Sequence, residues 1–432
     1  MPRRELSLPK LALLLCSALP APAASTAAAT AAATAAATLG EALFDDAPSV
    51  PIPASAYDWL ANETSSLLEG CRLRGLGGVT LFTPDGSSSY GAQWTRDFSM
   101  ALAAAPRAFP CGGANLSASV AYTLSRVTPQ GVVPDRVQAD GAAVFAPCTP
   151  ACGWNISIAW DNMPYAGLML AAYVRGWPDD AFFCAWEPTV RRALDFVPLV
   201  AGLAYNNPAA PNTSFGFEDS VVLPGRQLTV SLLLYDAARQ LGALAAAAGC
   251  GQPAHYAALA ASVAAAVDDL YDAASGLFLA SDTLETLPDV FGSAYLVTLG
   301  LSSAPRRAGV AGFLAAQWRA TQARGEAPAP TIFQAGQVRH LPQPLLWKKC
   351  WTGCPAPGTY QNGAFWATPL NWILPALTLE GFEDEAAGVA NAGIASFQAG
   401  GVMECVNAPI GYHGVRDYVA SATNLLSVVR PA

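Results

Sequence analysis

Two stretches of the sequence give the clearest indication of the fold class: RQLTVSLLLYDAARQLGALAAAAG (226–249) and YAALAASVAAAVDDLYDAASG (256–276). Both are long, rich in alanine and leucine, and end at a glycine, which is typical of α-helices with a left-handed stop. Similar apolar segments occur along the rest of the chain, which predicts about twelve helices between loops rich in Gly, Pro, Trp, Asn and Asp. The pattern therefore predicts an all-α domain, and the helix count fits a toroid, an irregular helical domain or an α-solenoid.

The composition indicates a folded, acidic protein. The chain has 432 residues, of which 53% are hydrophobic and 13% charged, so it is able to bury a large core. Its formal net charge of −9 leaves no basic surface of the kind that attracts nucleic acid. We therefore exclude nucleic acid as a partner.

The first residues have the features of a targeting signal. Basic residues precede the apolar run LALLLCSAL (11–19), and small residues suited to a signal peptidase follow it. The run is shorter than the roughly 20 residues that a membrane-spanning helix needs, so we expect no stable membrane insertion. We predict a signal peptide at 1–23, a low-complexity Ala/Thr linker at 24–42 and one catalytic domain at 43–432, in a protein that is secreted or enters the secretory lumen.

The cysteines and the N-glycosylation sequons are typical of a protein that enters the secretory pathway. Two cysteine pairs, Cys148/Cys152 and Cys350/Cys354, are spaced to close short loops, and disulfides are favoured over zinc because the chain has only three histidines. The ten cysteines include Cys16 of the predicted signal peptide, and the odd number that is left predicts at least one thiol unpaired within the chain. N-glycosylation sequons occur at Asn62, Asn115, Asn155 and Asn212.

Aromatic and acidic residues recur together in the predicted loops. Aromatic rings stack on the apolar faces of sugars, while carboxylate, amide and guanidinium groups bind sugar hydroxyls. The loops therefore predict a saccharide site. The segments that carry this pattern are YGAQWTRDFSM (90–100), GVVPDRV (131–137), AWDNMPYAGL (159–168), SFGFEDS (214–220), YQNGAFWATP (360–369) and GVMECVNAPIGYHGVRDYVASATN (401–424).

In order and content, these motifs resemble those of the six-hairpin glycosidases, a group that includes trehalases, neutral invertases, processing glucosidases and α-rhamnosidases. The resemblance covers roughly residues 55–430. It implies an (α/α)6 toroid, in which an inner ring of six helices is wrapped by an outer ring. It also implies an exo-acting glycosidase that hydrolyses an oligosaccharide or glycoside with water and needs no cofactor or metal.

The resemblance assigns roles to particular residues. Asp161 takes the place of the general acid, which stands just before an inner helix, and Glu404 takes the place of the general base. Two carboxyl groups far enough apart to admit a water molecule would hydrolyse the bond with inversion. Contacts with the sugar are expected from Trp94, Arg96, Asp97, Trp160, Asn162, Tyr360, Asn362, Gly363 and Trp366.

Several of these residues have a structural alternative. Asp161 could cap the helix that follows it, and Glu404 could be a solvated loop carboxylate. Arg96 and Asp97 could form an ordinary ion pair. A further set near these motifs has open roles: Glu218 and Asp219 could compete for catalysis or cap the next helix, His413 could touch the site of Glu404, and Arg416 and Asp417 are expected to be structural.

Other functions are compatible with sugar-binding loops. A carbohydrate-binding relative would hold a saccharide without cleaving it. A sugar epimerase is disfavoured because such enzymes depend on pairs of histidines, and the three in this chain have no matching partner motif. A polysaccharide lyase is disfavoured because an acidic protein poor in lysine would bind uronates badly.

Overall fold

A computed structural model describes most of the predicted catalytic domain. The described residues are 48–87, 89–148, 153–154, 156–324 and 331–432. The predicted signal peptide (1–23) and the Ala/Thr linker (24–42) lie outside them, as do Cys152 and Asn155. Within the described part of the chain, no helix combines the length and the hydropathy that a membrane span requires.

Helices dominate the structure, as predicted. The described residues form twelve α-helices, numbered here in chain order: α1 (Ala54–Gly70), α2 (Thr95–Ala104), α3 (Gly113–Leu124), α4 (Asn162–Gly176), α5 (Asp180–Phe196), α6 (Leu228–Ala248), α7 (Pro253–Ala266), α8 (Val290–Thr298), α9 (Ala304–Arg324), α10 (Leu370–Leu379), α11 (Glu383–Gly400) and α12 (Val419–Leu426).

The two long alanine- and leucine-rich stretches, 226–249 and 256–276, contain helices α6 and α7. Helix α6 ends at Gly249, which adopts a left-handed conformation with φ of +65°, so the predicted glycine stop is confirmed. Helix α7 ends at Ala266, ten residues before the predicted stop at Gly276. The chain turns instead at Asp272, whose carboxylate accepts hydrogen bonds from the backbone N–H groups of Ala274 and Ser275. A short aspartate that binds nearby backbone in this way competes with helix formation.

The even-numbered helices contact one another in cyclic order. Helix α2 contacts α4, and the series continues through α6, α8, α10 and α12, which returns to α2. Each odd-numbered helix packs against at least one even-numbered helix. Helix α4 illustrates the consequence, because every side chain from Asn162 to Val174 is buried, polar ones included. Such a helix is surrounded by other helices, whereas α5 buries only one face.

Short strands in the loops form small sheets that the sequence did not predict. They are β1 (Val50–Ile52), β2 (Arg72–Arg74), β3 (Thr80–Phe82), β4 (Ala92–Trp94), β5 (Arg136–Gln138), β6 (Ala143–Val144), β7 (Leu199–Val200), β8 (Leu203–Asn206), β9 (Gly225–Arg226), β10 (Tyr271–Asp272), β11 (Leu277–Phe278), β12 (Phe333–Gln334), β13 (Gln337–Arg339), β14 (Phe365–Trp366), β15 (Cys405–Asn407), β16 (Tyr412–His413) and β17 (Val429–Pro431). Segments this short contain too few residues to show a period of two.

Two of these sheets organise the chain. Strands β12 to β16 form an antiparallel sheet in sequence order, which brings the segment of Trp366 beside that of Glu404. Strand β1 pairs in parallel with β17. The first and last described strands of the chain are therefore hydrogen-bonded to each other.

The cysteines are partly as predicted. The disulfide between Cys350 and Cys354 is present. A second disulfide joins Cys184 of α5 to Cys250, just after α6, across 66 residues, and no spacing rule predicted it. The pairing of Cys148 with Cys152 stays a prediction, because Cys152 lies outside the described residues. The structure has free thiols at Cys71, Cys111 and Cys405, in agreement with the predicted unpaired cysteine.

Replacing both Cys184 and Cys250 by alanine should lower the free energy of unfolding by about 2 to 4 kcal/mol. A crosslink stabilises the fold mainly by restricting the unfolded chain, and the restriction grows with the length of the loop that it closes. Urea denaturation followed by circular dichroism measures the change. The double variant Cys350→Ala/Cys354→Ala is the matched control and should lose less, because its loop is much shorter. An equal or larger loss in the control would contradict this account.

Candidate active site

The predicted base Glu404 is a buried carboxylate with few polar partners. Its Oε1 accepts a hydrogen bond from the hydroxyl of Tyr90 at 2.7 Å, and Oε2 accepts one from the backbone N–H of Val415 at 3.3 Å. Burial raises the pKa of Glu404 to about 7, and the negative charges of Asp97 and Asp219 act in the same direction. A solvated loop carboxylate would have no such shift, so that alternative is not what the structure contains.

The predicted acid Asp161 is fully buried at the start of α4. Its Oδ2 accepts a hydrogen bond from the backbone N–H of Gly216 at 2.8 Å and lies 3.4 Å from Nη1 of Arg96. Asp161 occupies the N-cap position, yet its side chain makes no capping hydrogen bond. Burial raises the pKa of Asp161, whereas Arg96 and the Gly216 N–H favour the ionised form. The Asp161 carboxylate therefore binds Arg96 and the backbone of Gly216 and does not cap α4.

Arg96 is the cation at the centre of the site. Three carboxylates face its guanidinium group: those of Asp161 at 3.4 Å, Asp135 at 3.8 Å and Asp97 at 4.0 Å. Arg96 and Asp97 therefore do not form an isolated ion pair, which was the alternative that the sequence left open. Asp135 lies in the quoted segment GVVPDRV, although sequence reasoning assigned it no role of its own, and it directly precedes β5, which pairs with β4.

Gly216 makes room for this guanidinium group. A β-carbon at position 216 would lie 1.7 Å from Cζ of Arg96, far inside any allowed contact. The glycine of the SFGFEDS segment is therefore required by a close approach of a side chain to the backbone.

Aromatic residues connect Glu404 to Arg96. The hydroxyl of Tyr418 donates a hydrogen bond to Asp97, which pairs with Arg96. The ring of Tyr90, which binds Glu404, packs against the rings of Tyr418 and Trp94 at centroid distances of 6.3 and 5.2 Å. Glu404 and Asp161 thus belong to one continuous cluster of side chains. Sequence reasoning missed Tyr90 and Tyr418, although both lie inside the quoted motifs.

The neighbouring acids Glu218 and Asp219 point in different directions. Glu218 is buried, with Oε1 at 2.6 Å from Nε2 of His340. Asp219 is partly exposed, and its Oδ1 accepts a hydrogen bond from the side-chain amide of Gln361 at 2.7 Å. Burial raises the pKa of Asp219 to about 6, and the charge of Asp219 in turn raises the pKa of Glu404. Neither acid caps α6, whose N-cap residue is Gln227.

Three of the predicted sugar contacts border this cluster. Tyr360 lies close enough to Asp219 and Glu404 that their charges, together with burial, raise its pKa. Its ring packs against Trp366 at 5.4 Å, and Trp366 is almost completely buried beneath it. Trp94 is partly exposed and stacks under the guanidinium of Arg136 at 4.5 Å. Tyr360 and Trp94 therefore offer ring surface beside the carboxylates.

Other predicted contacts are engaged with the protein itself. Nε1 of Trp160 donates a hydrogen bond to Oδ1 of Asn206 at 3.2 Å. The side chain of Asn362 accepts from the N–H of Trp347 and donates to a loop carbonyl, so it braces the loop. Gly363 has φ of +116°, a conformation that favours glycine. Their role as sugar contacts stays a prediction.

The remaining candidates lie outside the cluster or inside the core. Asn162 is completely buried, and its amide nitrogen and oxygen have no hydrogen-bond partner among the described residues. His413 is exposed, and its Nδ1 lies 3.1 Å from the carbonyl oxygen of Gly414. Arg416 and Asp417 form an exposed ion pair at 3.7 Å, as expected of structural residues.

The chain is similar in fold to several proteins of known structure. No family model matches the chain, and no curated protein sequence matches it. The GH63 mannosylglycerate hydrolase of Thermus thermophilus, solved with glucose, is similar with a TM-score of 0.60 and 14% identity, over 85% of this chain and 99% of that one. A Klebsiella oxytoca rhamnosidase with bound rhamnose has a TM-score of 0.59 and 14% identity, over 88% of this chain and 64% of that one.

A third solved structure extends the likeness. The glucoamylase of Saccharomycopsis fibuligera has a TM-score of 0.56 and 12% identity, over 88% of this chain and 96% of that one. All three proteins are six-hairpin glycosidases, so the resemblance in fold that the motifs indicated is confirmed. At these identities the likeness concerns the fold, and activity has to be argued from the site.

Replacing Gly216 by alanine should displace Arg96 and lower the free energy of unfolding by about 3 kcal/mol, because a buried cation would lose its carboxylate partners. Thermal and urea denaturation measure the effect. Gly309→Ala is the control: this exposed glycine of α9 has open space around its α-carbon, and alanine there should be neutral or slightly stabilising. Equal stability of the two variants would show that Arg96 does not depend on Gly216.

Proposed function

We propose that the chain is a secreted glycoside hydrolase that cleaves a terminal glycosidic bond with inversion. The observation that carries the proposal is one cluster, bordered by aromatic rings, in which the charge of Asp219 acts on Glu404 and burial raises the pKa of both carboxyl groups. Acetal hydrolysis needs one carboxyl group that keeps its proton and one that is ionised. The solved glycosidases of similar fold support this reading.

We further infer that the cyclic contacts of the even-numbered helices form the inner ring of an (α/α)6 toroid. The site residues Trp94, Asp161 and Tyr418 are the N-cap residues of α2, α4 and α12. The substrate would therefore approach the end of the ring at which the inner helices begin. Helix N-termini carry partial positive charge, which stabilises the carboxylates gathered there.

Glu404 acts as the general base in this mechanism. In its ionised form it removes a proton from a water molecule, which attacks the anomeric carbon on the face opposite the leaving group. Tyr90 and the N–H of Val415 hold the carboxylate in place through hydrogen bonds to its two oxygens. The tyrosines and Trp94 supply surface on which the sugar ring stacks.

For the general acid, the contacts favour Asp219 over the Asp161 that the motif predicted. Both oxygens of Asp161 are inaccessible, and one is held by Arg96 and the N–H of Gly216. Such an environment orients a structural anion. Asp219 is partly exposed and interacts with Glu404 through its charge. We assign the acid to Asp219 and give Asp161 the task of positioning Arg96.

The disulfides support passage through an oxidising compartment. Cys184–Cys250 and Cys350–Cys354 would be reduced in most cytosols. The sequon residues Asn62 and Asn115 are exposed, so a glycan is able to attach there without disturbing the core.

The variant Asp219→Asn should lower hydrolysis of disaccharides at least about 10³-fold, while hydrolysis of the corresponding glycosyl fluoride persists, because fluoride leaves without a proton. Glu404→Gln should lose both activities, because water is no longer activated. A panel of α- and β-linked glucosides, mannosides and rhamnosides provides the substrates. Proton NMR of the first product identifies its anomer.

The same assay on Asp161→Asn decides between the two candidate acids. Selective retention of fluoride hydrolysis by this variant, and not by Asp219→Asn, would return the acid role to Asp161. Wild-type protein that binds saccharides from the panel and releases no sugar would contradict hydrolysis and identify a carbohydrate-binding relative.

The pH profile of kcat/KM should be bell-shaped with its maximum between about 6 and 7, because hydrolysis needs Asp219 protonated and Glu404 ionised, and burial raises their pKa values to about 6 and about 7. Since the base has the higher pKa, the alkaline limb reports Glu404. Tyr90→Phe removes a hydrogen bond that stabilises the ionised form of Glu404, so the alkaline limb of kcat/KM should move up by about one pH unit. Tyr360→Phe is the control, since its hydroxyl makes no hydrogen bond to Glu404. The groups whose charges or hydrogen bonds act on Glu404 are Tyr90, the N–H of Val415, Asp97 and Asp219.

An unchanged alkaline limb in Tyr90→Phe would contradict the assignment of that limb to Glu404. A limb that moves equally in both tyrosine variants would show that it reports general disturbance of the site.

A further inference from the structure

Behind the loop of Asp219, three buried side chains converge from separate parts of the chain. Glu218 belongs to the turn Gly216–Glu218, Asp289 is the N-cap residue of α8, and His340 directly follows β13. One ligand atom from each lies within 4.8 Å of the other two. All three residues are at most 2% exposed. The proposed hydrolysis uses none of them.

The side chains of this cluster are close together, but their orientations do not satisfy hydrogen-bond geometry. Nε2 of His340 lies 2.6 Å from Oε1 of Glu218 and 2.9 Å from Oδ1 of Asp289. At such distances a hydrogen bond would be expected, yet Nε2 makes none of acceptable geometry, and neither does Oε1 of Glu218. The two oxygens therefore flank the axis of the nitrogen lone pair without lying on it.

Adjacent corners of an octahedral metal site have this geometry. Donors about 2.1 Å from an ion and at right angles to one another are about 3.0 Å apart, and each lies about 45° from the bond axis of its neighbour. The two distances at His340 are close to that spacing. An ion on the lone-pair axis would give Nε2 of His340 and Oε1 of Glu218 the partner that each lacks.

The net charge of the three side chains also favours a bound metal ion. Two carboxylates and an imidazolium would leave one negative charge in the core, with Asp161 near enough to add to the repulsion at Glu218. Nδ1 of His340 also lacks a partner among the described residues, and an unpaired N–H costs more on a charged ring than on a neutral one. A divalent cation with neutral histidine and two carboxylates has no net charge.

The surroundings fix two of the donors in place. The His340 ring stacks on Phe291 at 4.4 Å and meets Trp347 edge-on at 5.6 Å. Asp289 accepts hydrogen bonds from the N–H of Gly292 and the hydroxyl of Thr229. Such supporting contacts orient the ligands of known metal sites.

We propose that Glu218, Asp289 and His340 bind one divalent first-row transition-metal ion, which ties the turn that carries Asp219 to the start of α8. The imidazole donor selects against Mg²⁺ and Ca²⁺, which prefer all-oxygen sites. The ion is structural, because its ligands are enclosed and do not reach the saccharide cluster. The proposal does not rest on the hydrolytic function.

The test measures metal binding by the full chain, purified without chelators. Plasma mass spectrometry of the protein as purified should find about one metal ion per chain. After dialysis against a chelator, Co²⁺ should bind with the same stoichiometry, give weak visible bands of a six-coordinate ion and raise the Tm. These readouts need no catalytic activity, so a failure of the proposed hydrolysis would leave them unchanged.

Variants locate the site. Glu218→Gln and His340→Gln should each weaken Co²⁺ binding at least tenfold. His255→Gln is the matched control, because His255 contacts the single carboxylate of Asp195 at 2.7 Å and its variant should bind Co²⁺ as the wild type does. Asp289 is left unchanged because it also caps α8.

One result would overturn the proposal without any variant. If wild-type protein purified without chelators contains no metal and takes up no Mn²⁺, Co²⁺ or Zn²⁺, the cluster is an ion triad and binds no metal.

Discussion

The burial of several carboxylates around one arginine is the constraint on which the rest of the site depends. Asp97, Asp135 and Asp161 all face Arg96, and the partly exposed Asp219 lies near enough for Arg96 to lower its pKa. Negative groups outnumber positive ones, so burial leaves protons on some of them into the neutral range. The N-termini of the even-numbered helices and the glycine at 216 help to accommodate these charges. A polar cluster of carboxyl groups with raised pKa values suits the chemistry of acetals.

Most of the helical architecture was predictable, because long apolar segments with glycine stops reveal helices locally. The end of α7 was not, since Asp272 binds backbone groups that a helix would have used. The strands of two to four residues carry no periodic signal, and they form only because the helices bring their loops together. The disulfide between Cys184 and Cys250 likewise depends on the packing of α5 beside α6.

The candidate site was predictable as a set of motifs and less so as a set of roles. Glu404 and the pair Arg96 and Asp97 lie in one cluster, as the motifs indicated. The acids Glu218 and Asp219 are consecutive in sequence, and only the turn that contains them decides that one faces His340 and the other faces the site. Spacing in the sequence contains no information about that difference. Tyr90 and Tyr418 were missed because a tyrosine hydroxyl gives no pattern of its own.

The parallel pairing of β1 with β17 has a consequence for biosynthesis. Helix α12 and β17 complete the circle of contacts, and Glu404 and Tyr418 belong to the same late part of the chain. A nascent polypeptide emerging from the ribosome can therefore stack its early hairpins, but its ends meet only once residues 419–431 have been made. Until that moment the circle of helices is open, its apolar edges are exposed to water, and the cluster around Glu404 is incomplete.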